Sequence, residues 1–510
     1  MDTVGNAESQ EISPKLSRLW DHAIKYLPSS LVPALTAVAA TAVFTRLLNP
    51  GQYGLYSLAL AVVVPATTVF GQLTGNGTGR YYQEYVRRGQ LEAYREAVSW
   101  LIYLTVALIV LLTLGAVGVF WTQGPGRSLL WTVLGVGALV MVQSVTTIVT
   151  PILSAKFLPT TYSVSLSSSA LLSFGIEWGL LALFGVHAYW LLWGAAIGQL
   201  LLLPYLFRYF PLVGLARVWP LSADAKHAIR QFLGFGIPTA FWVLSASLMG
   251  TADRFLLATF RGEAAVGVYS INVSIAGQAM GLAAGPMIAA SWPLLMDRFH
   301  REGTAAAQSA LAYATRMFLL VTFGIVGLLA VVGSAVEDLF LGAGFTQGAY
   351  LLLPLLVATA FWAAGRLGHG ALKLTARNWL LVADALVAGL ANVILNLGLI
   401  PRWGMLGAAV SLMAGFFLYT ALVWWQSRQI MPWRVDFLLL GQVVLLAVLS
   451  GVLADHIDGL LAPAPKEVLI LAGMVSFGVV YSAGAWALWK RSLRLVGGLG
   501  HAASGAERKG

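Results

Sequence analysis

From about Lys25 the chain turns apolar in runs of roughly 20 residues or more, the length an α-helix needs to cross about 30 Å of hydrocarbon with its backbone polar groups satisfied internally. A hydropathy window predicts spans near 26–48, 52–75, 96–120, 129–153, 161–184, 187–207, 231–258 and 264–290. Six more follow near 308–332, 347–372, 378–400, 404–426, 435–454 and 467–488. The expected fold is all-α and integral to the membrane, with about fourteen transmembrane helices. Between them the loops are short, and only 77–95 and 208–229 have room for surface helices. Residues 1–22 are polar, and the first apolar run is longer than a signal-peptide core, so span one is expected to act as an uncleaved insertion signal.

Composition agrees: 58% of residues are apolar and 10% charged, with mean hydropathy +0.79, a balance that cannot present a watery surface. There is no cysteine, which excludes disulfides and thiolate ligands, and the seven histidines show no metal-ligand spacing. No cofactor is expected. Of the 31 lysines and arginines, an N-in, C-in topology places 23 inside, 5 outside and 3 within spans. The net charge of +10 is therefore a topological signal and an attraction to anionic lipid, not a nucleic-acid footprint.

The chain also resembles itself. Gly54-Leu55-Tyr56-Ser57 at the start of span two recurs as Gly267-Val268-Tyr269-Ser270 at the start of span eight, and Gly194-Ala195-Ala196 in span six as Gly407-Ala408-Ala409 in span twelve. The offset is the same for both pairs, which predicts two six-helix lobes duplicated in parallel about a pseudo-two-fold axis along the membrane normal. The expected organisation is a cytoplasmic tail 1–22, an N-lobe 23–210, a linker 211–230, a C-lobe 231–430, spans thirteen and fourteen in 431–490, and a tail 491–510. A third match, Gly71-Gln72 with Gly75 and Gly79 against Gly277-Gln278 with Gly281 and Gly285, needs a shorter offset and is read first as small-residue helix packing.

Three segments carry a family resemblance. Thr45-Arg46-Leu47-Leu48-Asn49-Pro50-Gly51-Gln52-Tyr53-Gly54-Leu55-Tyr56 resembles the opening motif of bacterial polysaccharide and O-antigen flippases of the multidrug/oligosaccharidyl-lipid/polysaccharide exporter superfamily. Asp253-Arg254-Phe255 with Ala258, followed by Gly267-Val268-Tyr269-Ser270, is similar to that family's motif at span seven, and Leu399 to Ala409 to its turn between spans eleven and twelve. The resemblance implies a V-shaped, alternately open cavity between the lobes and, as substrate, a glycan on undecaprenyl pyrophosphate. Its implied partners are the lipid-linked oligosaccharide, membrane lipids, a coupling proton or sodium ion, and a polysaccharide polymerase with glycosyltransferases.

An ionisable group inside a span costs about 2.5 to 3.5 kcal/mol on insertion scales, so those retained usually face a cavity or a partner. Span ten carries Arg366, His369 and Lys373 at helical spacing, a stripe able to grip a pyrophosphate or, at Lys373, to snorkel to the headgroups. In span seven Arg254 reads as a cavity cation with Asp253 as its charge balance or an ion-coupling group, or the pair of positions as a structural interlobe ion-pair site. Glu177 in span five and Asp384 in span eleven could take a coupling ion or brace a helix interface. Arg46 at one end of span one and Lys156 at a loop are substrate contacts or plain interfacial cations.

The favoured function is a flippase moving a lipid-linked oligosaccharide by alternating access in the bacterial inner membrane. A cation or drug antiporter of the same superfamily would instead want a cavity of carboxylates and aromatics. An integral-membrane polymerase or ligase would need a large outer loop with catalytic groups, and none is predicted, so no enzymatic activity is expected. A reporter fused after Lys226 or at the C-terminus should report cytoplasm, and one after Arg127 or within 457–465 periplasm; a periplasmic C-terminus breaks the fourteen-span topology.

Overall fold

The computed structural model describes residues 25, 28–122, 124, 126–374, 378–431, 435–460 and 465–507, apart from the side chains of 292, 293, 373, 374, 378, 430, 458, 459, 466 and 491–507. Every long element among them is a helix, and fourteen are long and apolar enough to span a membrane. In chain order they are α1 (Pro28–Leu47), α2 (Pro50–Arg87), α3 (Leu91–Thr122), α4 (Arg127–Ala155), α5 (Pro159–Phe184), α6 (Ala188–Tyr209) and α7 (Ala223–Arg261). They continue as α8 (Glu263–Glu302), α9 (Thr304–Phe340), α10 (Thr346–Leu372), α11 (Trp379–Trp403), α12 (Met405–Gln429), α13 (Phe437–Ile457) and α14 (Glu467–Lys490). The chain is a multi-pass membrane protein.

Each predicted span coincides with one of these helices, but several run well past the apolar window. The stretch 77–95, expected as a loop with room for a surface helix, continues α2 to Arg87 and turns through Gly89, whose φ of 70° favours glycine, into α3. Aromatic burial holds this extension: Tyr82, Tyr85 and Tyr94 pack with Phe210 and Phe232, the Tyr94 hydroxyl donating to Thr78 O at 2.8 Å and that of Tyr85 to Gln231 Oε1 at 2.8 Å. Within α2, Pro65 removes a donor and the helix widens into a π turn at Thr68–Gln72 before resuming.

The stretch 208–229 is tied down by α3. Val213 N donates to Ser99 Oγ at 2.9 Å, Tyr103 to Val213 O at 2.9 Å and Arg95 to Pro211 O at 3.0 Å, while Glu96 accepts from both the backbone and the hydroxyl of Ser222, the cap of α7. Lys156, just beyond α4, donates to Tyr209 O at 2.6 Å and lies over the rings of Tyr82 and Phe210, satisfying a carbonyl at the end of α6. Burial, with Arg95 nearby, lowers its pKa below the ordinary lysine value.

The described residues up to Gly267 form one compact unit and those from Val268 a second. In the first, backbone lies on backbone wherever glycine permits. A Cβ at Gly77 would stand 2.5 Å from Phe232 Cα and one at Gly236 2.7 Å from Leu73 C, so α7 rests directly on α2. Gly71, Gly75 and Gly79 bring the other side of α2 against Ser144, Thr147 and Pro151 of α4. The similar row Gly277, Gly281 and Gly285 on α8 has nothing within 4 Å of the corresponding Cβ positions, so only the first copy serves close packing. In the second unit, α13 and α14 pack on α9 through Val443, Ala447, Phe477 and Tyr481, the last donating to Leu320 O at 2.6 Å.

Replacing Gly77 or Gly236 by leucine should cost about 1 to 3 kcal/mol by overpacking. Gly118→Leu, with nothing within 4 Å, should not. Thermal unfolding of the purified protein in detergent reads the contrast, and equal melting points for all three variants would contradict the backbone contact.

Candidate functional site

The opening motif has a physical task at nearly every position. Asn49 caps α2 by accepting from Gln52 N at 2.9 Å, and Pro50 occupies the first turn, where its missing N–H costs nothing. Gln52 turns outward, its Oε1 accepting from Ala188 N at 2.8 Å and so capping α6. Gly54 removes its side chain from a crossing: a Cβ there would stand 2.8 Å from Glu263 C and 3.1 Å from Gly267 N. The relation is reciprocal, since a Cβ at Gly267 would stand 2.9 Å from Pro50 C and 3.1 Å from Gly54 N. Thus Gly54 and Gly267, paired by the sequence repeat, touch each other across the starts of α2 and α8.

Tyr53 and Tyr56 complete this turn, ring to ring at 5.7 Å in an edge-on arrangement. Tyr53 lies within electrostatic reach of both Arg254 on α7 and Glu177 on α5, and Tyr56 within reach of Glu177. Glu177 is buried, and Gly194 of α6 presses on its backbone, a Cβ there standing 2.6 Å from Glu177 Cα. Asp253 is buried, its Oδ1 accepting from Arg254 N at 2.8 Å. Arg254 is half-buried, and its Nε has no hydrogen-bond partner. Arg254 with its neighbour Asp253, Glu177 and the two phenols, from α7, α5 and α2, thus gather around Tyr53 inside the first unit. A guanidinium nitrogen buried without an acceptor holds desolvation cost that an anionic ligand would relieve.

The other sequence candidates are placed elsewhere. Arg366 on α10 is exposed, whereas His369 one turn on is buried with its Nε2 2.6 Å from the Tyr419 hydroxyl of α12. These two do not share an open stripe, because Gly365 and His369 form the face that packs on Tyr419. The Lys373 side chain lies outside the described residues. Asp384 is buried and accepts from Gln426 Nε2 of α12 at 2.7 Å. Although α5 and α11 are equivalent in the repeat, Glu177 comes eight residues before the turn glycine Gly185 and Asp384 twenty before Gly404, at different depths in their hairpins. Opposite a glycine of α12, Gly415, stands Asn392 instead of an acid. Arg46 is exposed in the last turn of α1, and Lys156 is committed to the Tyr209 carbonyl.

Tyr53 and Tyr56 were visible within the motif but not as site members, since phenols carry no insertion penalty of the kind that singles out charges. Glu337, buried with both carboxylate oxygens unpartnered, was missed because the apolar window of span nine ends before it while the helix continues to Phe340. Among the described residues no group of three or more His, Asp or Glu could hold a metal.

A sequence profile described as polysaccharide biosynthesis protein matches residues 19–299. A comparison with curated protein sequences finds no match. Among solved structures, the lipid II flippase MurJ in an inward closed conformation aligns with TM-score 0.68 at 13% identity, covering 92% of this chain and 99% of that one. A MATE transporter in complex with MaD3S aligns at 0.56 and 13%, covering 80% and 95%, and the eukaryotic MATE transporter AtDTX14 at 0.52 and 15%, covering 85% and 98%. At these identities the likeness is one of fold.

Because Gly54 and Gly267 share one contact, Gly54→Ala and Gly267→Ala should each lower stability, and the double variant should cost less than the sum of the two. Strict additivity in a thermal double-mutant cycle would separate the two glycines.

Proposed function

The chain belongs to the polysaccharide biosynthesis protein family, and on that footing we propose that it is a flippase carrying a lipid-linked oligosaccharide across the bacterial inner membrane by alternating access. The observation that carries this reading is Arg254, a guanidinium held inside a span with its Nε unmatched, beside Tyr53 and within the same cluster as Glu177. The pyrophosphate of an undecaprenyl carrier is an anion that must leave water, and burying it unpaired would cost many kcal/mol. The planar fork of Arg254 supplies paired donors, and the phenols of Tyr53 and Tyr56 add neutral ones. Arg366, exposed on α10 of the second unit, is a separate candidate contact for an anionic group.

Glu177 takes the coupling proton or sodium ion in this scheme. It is the buried acid that shares Tyr53 with Arg254 as an electrostatic neighbour, whereas one carboxylate oxygen of Asp384 already accepts from Gln426 and the other is buried without a partner. An ion moving through the membrane potential supplies about 2.3 kcal/mol per charge per 100 mV. Both termini are assigned to the cytoplasm, and the glycan to glycosyltransferases on that side and a polymerase on the other. The buried Glu177 with its aromatic neighbours also suits cation antiport, the second reading, in which Glu177 binds the exported cation and Arg254 is dispensable.

Arg254→Ala should reduce surface polysaccharide at least tenfold with unchanged abundance in the membrane, and Arg254→Lys should restore part of it, since lysine keeps the charge but not the fork. Glu177→Gln should remove the dependence of transport on the ion gradient. Full export by Arg254→Ala overturns the anionic site, and efflux of organic cations by Arg254→Ala protein selects antiport.

A further inference from the structure

The first unit holds a second polar space that the cation-and-acid cluster does not use. It is a cavity of about 720 Å³ between α2, α4, α5 and α6, at the ends of those helices near Arg80 and Lys156 and away from the Tyr53 turn. Its size falls in the range of sites for small organic ligands. Nine of its fifteen lining residues are uncharged and polar, an unusual investment within membrane spans, where each unmatched polar group costs free energy.

The donors and acceptors are sorted. Thr146, Thr147 and Thr150 on α4 spend their hydroxyl protons on the carbonyls of Val142, Gln143 and Thr146, at 2.9, 2.7 and 2.6 Å, and so turn lone pairs outward. Asn76 on α2 keeps a buried Nδ2 with no partner. Gln143 accepts from Thr67 at 3.1 Å through its Oε1, which leaves its NH2 as the end available to a ligand. Gln199 of α6 adds an amide of both kinds. Acceptors on α4 and donors on α2 and at Gln143 therefore border one space, the complement of a ring bearing hydroxyls, each of which donates and accepts.

Charge narrows the class further. No carboxylate is among the lining residues, which disfavours an organic cation, and the one charged member, Arg80, is exposed with its guanidinium 4.5 Å from the centre of the Phe235 ring. One such cation at the rim does not make a pyrophosphate site. Resting on the flippase reading above, we propose that this cavity receives neutral sugar residues of the transported glycan, apart from the headgroup contacts around Arg254. Sugar selectivity and headgroup binding are then separable properties of the first unit.

The test uses the full chain purified in detergent and two probes, lactose and N-acetylglucosamine each carrying an alkyl diazirine, with an alkyl diazirine alcohol lacking the sugar as control. Photolysis should label peptides within 143–155 and 162–169, and excess free sugar should suppress the label. The double variant Thr150→Val with Gln199→Leu, chosen to keep volume, should lose at least fivefold of it, while Glu177→Gln should retain it and yet lose the dependence of lipid-linked glycan transport on the ion gradient in proteoliposomes. Labelling equal to the control alcohol, or undiminished in the double variant whose melting point is unchanged, overturns the sugar site. Sugar-dependent labelling in a wild-type protein that moves no lipid-linked glycan supports the cavity and overturns the flippase reading instead, so the two failures are distinct.

Discussion

In hydrocarbon a leucine gains little by leaving lipid for a neighbouring helix, so association depends on how closely two backbones can approach. In the first unit that approach is made by glycine at several crossings: Gly77 and Gly236 between α2 and α7, Gly71, Gly75 and Gly79 between α2 and α4, Gly194 and Gly198 between α6 and α5, and Gly54 with Gly267 between α2 and α8. The polar chemistry follows from these contacts. Glu177 is buried because Gly194 lets α6 lie on its backbone, and Tyr53 reaches Glu177 and Arg254 because the adjacent Gly54 draws the start of α2 into the crossing.

Much of the fold was legible in the sequence because hydrocarbon leaves the backbone almost no alternative. A run of some 20 apolar residues becomes a helix whatever its neighbours, and each predicted span found its helix. What lay outside the apolar window was harder. The extension of α2 to Arg87 depends on Tyr82 and Tyr85 burying against Phe232, a contact nearly 150 residues away along the chain that no local pattern encodes. The short loop after Tyr209 is ordered by Ser99, Tyr103 and Glu96, again at long separation.

For the candidate site, charge inside a span singled out Arg254 and Glu177, which the structure places within electrostatic reach of Tyr53, and Asp253 beside Arg254. It was a poor guide to orientation. Helical spacing set Arg366 and His369 on a common arc, yet the 60° between them separates an exposed side chain from one pressed on Tyr419, because Gly365 pulls α12 onto that edge. Nor could it see the cavity near Thr150 and Gln199, whose members are, but for Arg80, uncharged and scattered over four helices. Neutral polar residues cost little singly in a hydropathy sum, and their convergence is a property of packing.

The π turn of α2 has a consequence for how this helix can change. By inserting extra backbone into one turn it rephases everything below, so that Gly71, Gly75 and Gly79 meet α4 while Gly54, above it, meets Gly267. One residue more or less in an α-helix swings all that follows by about 100°. Reverting the widened turn to a regular one would therefore act less as a shortening than as a twist, carrying the glycine row off α4 and replacing it with bulk. The two ends of α2 are in this sense separately aimed, and the turn between them is the adjustment that allows one helix to keep two partners.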